Sequence, residues 1–247
     1  MEVHHHPQLH HQPKPWKEYL LEGLMIFLAV TMGFFAETIR EGISDSSKGK
    51  EYIRSYVEDL RRDTGNYSII LTFNENKLAA LNKLSACYDT LQKDNKATGC
   101  LVPLLVNAAS NRSFGFTDGT LQQLKNAGGF QLLKKVDKDS INAFEFLVRG
   151  YMNFEATVFQ ERQNVIREMV VKLITFKAAE SIRNGATENI PTPLLACGDK
   201  AQLNEFFNDL SIYRRVTVRQ NEMLREFKNR SATLIRYFDN KYHFTND

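Results

Sequence analysis

An apolar run near the N-terminus, YLLEGLMIFLAVTMGFFA at residues 19–36, sets the first limit on how this chain folds. Its eighteen residues contain one charge, Glu22, and the fourteen residues that follow Glu22 contain none. As a helix, eighteen residues extend roughly 27 Å, close to the thickness of the hydrocarbon core of a bilayer. A tryptophan, a tyrosine and two lysines lie beside the run, as anchors do at a membrane surface. The run therefore predicts a transmembrane helix over residues 19–40.

Two alternatives fit a run of this length. A cleaved signal peptide has a similar apolar core, but bulky Phe34 stands where a second small residue would be needed before Ala36. A buried helix of a soluble protein is the other alternative, because fourteen uncharged residues is an ambiguous length. We adopt an uncleaved signal anchor as the interpretation.

The side of the membrane on which the C-terminal domain lies is left open by the charges. Basic residues are more numerous just after the run than before it, which by the positive-inside rule places that domain in the cytoplasm. Long domains, however, cross a membrane largely regardless of charge, and a short basic tail before an uncleaved anchor is usual for an exported domain. We expect a single-pass protein of the bacterial inner membrane and favour the periplasm for its C-terminal domain.

Three long apolar stripes follow, at helical steps of three and four, over residues 53–91, 141–176 and 203–238. Thr64 and Asn74 fill gaps in the first stripe. Asp137 is a predicted N-cap for the second helix, which we expect to end near Gly185. The second stripe consists of Ile141, Phe144, Val148, Tyr151, Phe154, Val158, Val165, Met169, Leu173 and Phe176.

Long helices with a single apolar stripe must pack side by side to be stable. The segment 185–198 contains two prolines and is long enough to reverse the chain, and Asp199 with Gln202 resembles a capping box for the third helix. We therefore expect an all-α fold, in which the transmembrane helix is followed by an elongated antiparallel helical bundle of three long helices. Glycines in residues 96–136 predict additional short helices, and no segment alternates with period two. The predicted domains are 1–18, 19–40 and 41–247.

Five histidines near the N-terminus form the one cluster with the chemistry of a metal ligand set. Neutral imidazoles this close in sequence bind zinc, nickel or copper. A flexible, weakly basic tail is the alternative, because any His-rich peptide binds such metals. The candidate metal ligands are His4, His5, His6, His10 and His11.

Several function classes are disfavoured by composition and motifs. A net charge of +3 with both signs interleaved does not favour nucleic acid. No phosphate-binding glycine loop, HExxH, GxSxG or paired cysteines occur, so we predict no enzymatic activity and no cofactor. We interpret carboxylate pairs such as Glu58–Asp59 and Asp137–Asp139 as solvated helix faces, and Tyr213 as the edge of the core. One disulfide, Cys100–Cys197, is allowed in an oxidising compartment.

Three segments carry a resemblance to a known group of proteins. They are WKEYLLEGLMIFLAVTMGFFAETIREGI at residues 16–43, KEYIRSYVEDLRRDT at 50–64 and TLQQLKNAGGFQLLKK at 120–135. Together they resemble bacterial single-span membrane proteins that have a His-rich N-terminus and a domain of unknown function. The resemblance implies a membrane-anchored helical protein and a native histidine tail, and it transfers no catalytic residue.

These observations lead to two hypotheses for the function. The first is a non-enzymatic scaffold of the bacterial envelope, whose bundle contacts a protein partner or further copies of itself beside the lipid bilayer. The second is a bundle that senses a ligand or metal and signals to a partner through its anchor by small helix shifts.

Overall fold

The structure is a computed structural model, which describes residues 15–93, 101, 110–186, 190–191, 194–196 and 199–244. Within these residues the chain is helical and forms no strand, apart from one isolated antiparallel bridge between Ile174 and Leu195. The predicted all-α class is confirmed. The helices are α1 (Trp16–Ala86), α2 (Tyr88–Lys93), α3 (Gly119–Asn126), α4 (Lys135–Phe154), α5 (Gln160–Leu173), α6 (Phe176–Arg183) and α7 (Lys200–Tyr242), with a 3₁₀ turn at Gly129–Leu132 and a π-helical turn at Glu155–Phe159.

The chain divides into two compact units, residues 1–50 and 51–247. In the first unit, the apolar run lies on the surface of α1. No residue in the most apolar stretch of eighteen residues is buried. The hydroxyls of Thr31 and Thr38 donate to the carbonyl oxygens four residues earlier, at 2.7 and 2.9 Å. Polar groups satisfied within their own helix are what a lipid environment requires. This helix is long and apolar enough to cross a membrane.

In the second unit, the contacts between α1 and α7 run in opposite directions along the two helices. Arg61 near the start of this part of α1 pairs with Asp239 near the end of α7, at 2.7 Å. Near the end of α1, Asn82 accepts a hydrogen bond from Arg214, which lies well before Asp239 in α7. The same opposite order relates α4 to α7, in the pairs Asp137–Lys241 and Tyr151–Gln220.

The buried apolar side chains of this unit form two separate cores, which we name by their content. The aromatic core consists of Ile53, Tyr56, Val57, Leu60, Tyr67, Ile70, Leu71, Phe114, Leu121, Leu124, Leu133, Ile141, Phe144, Val148, Tyr151, Leu224, Phe227, Leu234, Phe238 and Phe244. The aliphatic core consists of Ala80, Leu81, Leu84, Cys87, Leu91, Leu101, Phe159, Ile166, Met169, Leu173, Ile174, Ala178, Leu194, Leu195, Leu203, Phe206, Leu210 and Tyr213.

The second long helix differs from its prediction at both ends. It begins at Lys135 after an extended Lys134, so the prediction of Asp137 as N-cap is wrong. Asp137 is instead fully buried in the first turn, because its carboxylate binds side chains of α7. At the other end the helix stops at Leu173, well before Gly185. Ile174 is extended there, since its neighbours exchange backbone hydrogen bonds with residues 194 and 196.

The start of α7 agrees with the sequence. The carboxylate of Asp199 accepts the backbone N–H of Ala201 at 2.9 Å, as an N-cap side chain does. His243 ends the same helix in a left-handed conformation with φ of 57°. Of the short helices expected over residues 96–136, α3 and the 3₁₀ turn lie in the described part, and residues 94–100 and 102–109 lie outside it.

Two aspartates of α1 hold the segment that leads into α3. Asp63, fully buried, accepts the backbone N–H and the hydroxyl of Thr117 at 3.0 and 2.7 Å. One turn away, Asp59 accepts the hydroxyl of Thr120 at 2.6 Å. The prediction of Asp59 as part of a solvated pair is therefore wrong, because threonine hydroxyls and a backbone amide replace water around these carboxylates.

Candidate functional site

A layer of polar side chains separates the aromatic core from the aliphatic core. On α1 the aromatic core ends at Leu71 and the aliphatic core begins at Ala80, and the corresponding gaps are 152–158 on the second long helix and 214–223 on α7. The gaps on all three helices contain polar residues directed inward. We call this set the polar layer, and its members are the buried Asn74, Lys77, Thr217, Gln220 and Asn221 and the half-buried Glu155.

Amide side chains connect the three helices across this layer. The Asn74 amide nitrogen donates to the side-chain oxygens of Gln220 and Asn221, both at 2.8 Å. The Gln220 nitrogen donates in turn to the Tyr151 hydroxyl at 3.1 Å and to the Glu155 carboxylate at 3.4 Å. Fully buried amides with these partners fix the axial register of α1, α4 and α7, because a shift by one turn would leave several of them unpaired.

Lys77 places a cation in this layer, with only 2% of the residue exposed. Its ammonium nitrogen donates to the Tyr213 hydroxyl at 3.3 Å and lies 5.1 to 5.6 Å from the ring centres of Phe73, Phe159 and Tyr213. None of the described carboxylates forms an ion pair with it. Aromatic faces attract a cation but replace water incompletely. Burial lowers the pKa of Lys77 to about 8, against a smaller opposing effect of the Glu155 charge.

The π-helical turn occurs where the second long helix passes the polar layer. Four residues follow one another at uniform steps of four: Tyr151, Phe159 and Gln163, which are buried, and Glu155, which is half-buried. On a regular helix each such step rotates the side chain by ~40°, or ~120° over the three steps. The wider i→i+5 turn absorbs this rotation and keeps all four residues directed inward. π-helical turns of this kind are frequent at functional sites.

Hydrogen bonding in the layer is incomplete. Among the described residues, the buried Asn74 oxygen and the Asn221 nitrogen have no hydrogen-bond partner. Buried polar atoms without partners reduce stability, so an apolar layer of equal volume would be more stable. The layer therefore favours a unique register and weakens the connection between the two cores.

A second buried polar cluster lies at the far end of the aromatic core. The Asp137 carboxylate accepts hydrogen bonds from Tyr237 at 2.8 Å, from Lys241 at 2.5 Å and from Tyr242 at 2.7 Å. Burial acts to raise the pKa of Asp137, but the bonds from Lys241, Tyr242 and Tyr237 outweigh it and hold the pKa below its usual value. Because each oxygen is already bound, we interpret this cluster as a clasp between α4 and α7.

The structure locates the other residues that the sequence singled out. The five predicted metal ligands, His4, His5, His6, His10 and His11, lie outside the described residues, as does the Cys100–Cys197 pair. Cys87 is buried, and its thiol donates to the carbonyl of Lys83. In the described ranges, no three His, Cys, Asp or Glu side chains are grouped so that they could hold a metal ion.

Sequence reasoning missed most of the polar layer. The apolar stripe includes Val158 and Phe176, which are exposed, whereas the interior positions near Val158 are Glu155 and Phe159. Tyr213, interpreted from the sequence as core edge, is fully buried. The available signal was the uniform four-residue spacing from Tyr151 onward, which charged and amide residues obscured.

Comparisons with protein-family models, with curated proteins and with solved structures found no match to this chain. Over the described ranges the fold is all-α, and one helix there is long and apolar enough to cross a membrane. The resemblance to bacterial single-span proteins stays a prediction.

Proposed function

We propose that this protein is a single-pass scaffold of the bacterial inner membrane, whose helical domain is a non-enzymatic interaction module of the cell envelope. The observation that carries the proposal is the exposure of the apolar run of α1, in which no residue is buried. In water, an unshielded apolar helix of this length is unfavourable, whereas a lipid bilayer covers it. A buried helix of a soluble protein would have shown the opposite pattern.

The proposed module is an elongated antiparallel bundle of three long helices. Its support is the opposite order of contacts between α1 and α7, and between α4 and α7, together with stripes that are buried along the full length of α7. Long, continuous helices present extended surfaces suited to contact with another protein.

The contact surface that we propose centres on exposed apolar side chains of α4. Phe146 is 73% exposed and Val136 60% exposed, on a helix whose other face is in the core. The same helix borders a groove of about 520 Å³ between α4 and α7, whose lining includes Leu147, Leu234 and Tyr237. Exposed apolar side chains and an apolar groove on one helix suit a protein partner or a second copy of this chain better than nucleic acid.

A sensor is the second candidate function, and the polar layer favours it. A buried cation, incompletely paired amides and a π-helical turn at one level of the domain provide a place where the two cores can shift relative to each other. A ligand or metal that favours one arrangement would then signal through the anchor to a partner.

Membrane extraction tests the anchor. We expect the full chain to stay in the membrane pellet after an alkaline carbonate wash, and we expect the Phe27→Arg/Val30→Arg variant to be released. Intact mass spectrometry of the same pellet separates the alternatives, because a signal peptide would be removed and an anchor retained. Release of the wild-type chain, or a cleaved N-terminus, would contradict the proposal.

The side of the membrane follows from thiol labelling in intact cells. A membrane-impermeant reagent is expected to label Cys100 and Cys197, directly or after reduction, if the helical domain is periplasmic. Cys87 is buried and serves as an internal control for unfolding. Labelling that requires permeabilisation would place the domain in the cytoplasm.

A further inference from the structure

A groove on the aliphatic half of the helical domain has an unusual lining. It lies between the end of α1, α2 and the first half of α7, and has a volume of about 570 Å³, within the usual range of ligand sites. Two aromatic rings lie in it, Tyr88 and Phe207, with centres 5.1 Å apart and planes at 74°. Three of its lining residues are asparagines, Asn82, Asn204 and Asn208.

These asparagines are poorly suited to helix formation. Each one in a helix interior lowers helix stability by about 0.6 kcal/mol relative to alanine, because its side chain competes for backbone hydrogen bonds. All three are exposed, so they fill no core position. Their presence on two facing helix surfaces is therefore not explained by core packing.

The amides keep hydrogen-bonding capacity for a ligand. The Asn204 oxygen accepts the Tyr88 hydroxyl at 3.1 Å and the Asn82 oxygen accepts Arg214 at 3.3 Å, which orients both amides and leaves their NH₂ groups as donors. Within the described residues, Asn208 and Ser211 have no side-chain hydrogen-bond partner. The groove thus offers donors and acceptors together, in fixed positions beside two rings.

Charge distinguishes the groove from the rest of the contact between α1 and α7, which we call the α1–α7 seam. Elsewhere this seam is bridged by ion pairs, Arg225–Glu75 at 3.0 Å and Arg61–Asp239 at 2.7 Å. The groove has no acidic lining residue and a single cation, Arg214. A lining of neutral amides, hydroxyls and aromatic faces matches a ligand that is uncharged, rich in hydroxyl groups and equipped with C–H faces for the rings.

We propose that this groove binds a short segment of a neutral glycan. Vicinal hydroxyls of the sugar would pair with the Asn204 and Asn208 amides, and a C–H face of a pyranose ring would cover Phe207 and Tyr88. The inference rests on the proposed interaction role and gives it a partner class for an envelope protein. The two fail separately, since a chain that carbonate releases from the membrane can still bind a glycan.

The test is saturation-transfer NMR and calorimetry on the full chain in a detergent without a sugar headgroup. The probes are neutral hexasaccharides of glucose and of N-acetylglucosamine, with a galacturonic acid hexasaccharide as the acidic comparison. We expect saturable binding of at least one neutral probe, with transfer from aromatic protons to the C–H protons of the sugar ring. Binding of the acidic probe alone, or of none, would overturn the proposal.

Variants locate the site. Asn208→Ala removes an exposed amide that has no described partner, so the fold is retained, and we expect Kd to rise about tenfold, as for loss of a good hydrogen bond. Phe207→Ala should have a larger effect on affinity, but it also removes partly buried surface. Arg225→Ala, on the same helix outside the groove, is the matched control and should leave Kd unchanged. Equal Kd values for Asn208→Ala and wild type would refute the site.

Discussion

The aromatic core and the aliphatic core are built from the same three long helices but are stabilised differently. Among the described residues, eight of the twenty members of the aromatic core have aromatic rings, against three of the eighteen in the aliphatic core. In the part of the chain that the structure describes, the buried carboxylates lie beside the aromatic core. They are Asp59, Asp63, Asp137, Glu145 and Asp239.

In the aromatic half, specific polar bonds supplement apolar burial. Carboxylates of the aromatic half bind hydroxyls, a backbone amide and cations on other segments of the chain, and such charge-assisted bonds stabilise one geometry strongly. In the aliphatic half, the described contacts are mainly apolar, and the helix is interrupted at Ile174. We therefore expect the aliphatic half to open at lower free energy than the aromatic half.

Removal of a central ring should have the largest effect. Phe227 lies 5.3 to 6.3 Å from the ring centres of Tyr67, Phe114, Phe144 and Tyr151. We expect Phe227→Ala to lower the free energy of unfolding by about 4 kcal/mol, and Leu210→Ala in the aliphatic core by about 3 kcal/mol. Urea titration followed by circular dichroism measures both. A smaller loss for Phe227→Ala than for Leu210→Ala would reverse the comparison.

Loss of the Asp137 clasp should have the next largest effect. Asp137→Ala leaves two tyrosine hydroxyls and Lys241 without their acceptor, and we expect the free energy of unfolding to fall by about 3 kcal/mol at neutral pH. Asp139→Ala, on the exposed side of the same turn, is the control and should change stability by less than about 0.5 kcal/mol. Similar losses for the two variants would show that the clasp contributes nothing specific.

The all-α class and most of the stripe positions could be predicted from the sequence, because apolar periodicity indicates directly which face of a helix is buried. Asn74 was correctly assigned to the first stripe, since its neighbours one turn away are apolar. The cap at Asp199 was also predictable, because an N-cap depends on local sequence alone.

The polar interior was not predictable by the same reasoning. Asp137 and Glu155 lie inward because of partners on α7 some 65 to 105 residues away, and no local pattern identifies those partners. A π-helical turn also changes which residues face inward, so a regular period assigned Val158 to the core in place of Phe159.

Lys77 predicts a pH dependence that is specific to the polar layer. Its folded pKa of about 8 lies below the ordinary lysine pKa of 10.5, so between these values the unfolded chain holds more protons than the folded one. The contribution of Lys77 to the free energy of unfolding should therefore increase with pH in this window, by about 2 kcal/mol between pH 8 and pH 10. Lys77→Met should lack this increase relative to wild type.

Exposed Lys83, on the same helix, supplies the matched control for that measurement. Lys83→Met should keep the wild-type pH dependence, because the Lys83 side chain is already exposed in the fold. Subtracting the wild-type curve from each variant curve also cancels the contribution of the tyrosines that ionise near the upper end of the window. Parallel curves for wild type and Lys77→Met from pH 8 to pH 10 would argue against a strongly desolvated lysine.

The smallest effect is expected at the surface of the α1–α7 seam. Glu75 and Arg225 form an ion pair at 3.0 Å with both side chains more than half exposed. We expect Glu75→Ala to change the free energy of unfolding by less than about 0.5 kcal/mol, with little dependence on salt. A loss comparable to that of Asp137→Ala would mean that surface pairs, and not buried carboxylates, distinguish the two halves.

Native-state hydrogen exchange, read by mass spectrometry on the full chain in lipid nanodiscs, tests the division into two halves most directly. The account predicts that backbone amides in residues 81–91, 160–173 and 203–213 exchange through openings of lower free energy than those in 53–71, 141–151 and 224–238. On each helix, the change from lower to higher opening free energy should occur at the polar layer. Equal protection on both sides of that layer, or stronger protection of the aliphatic half, would contradict it.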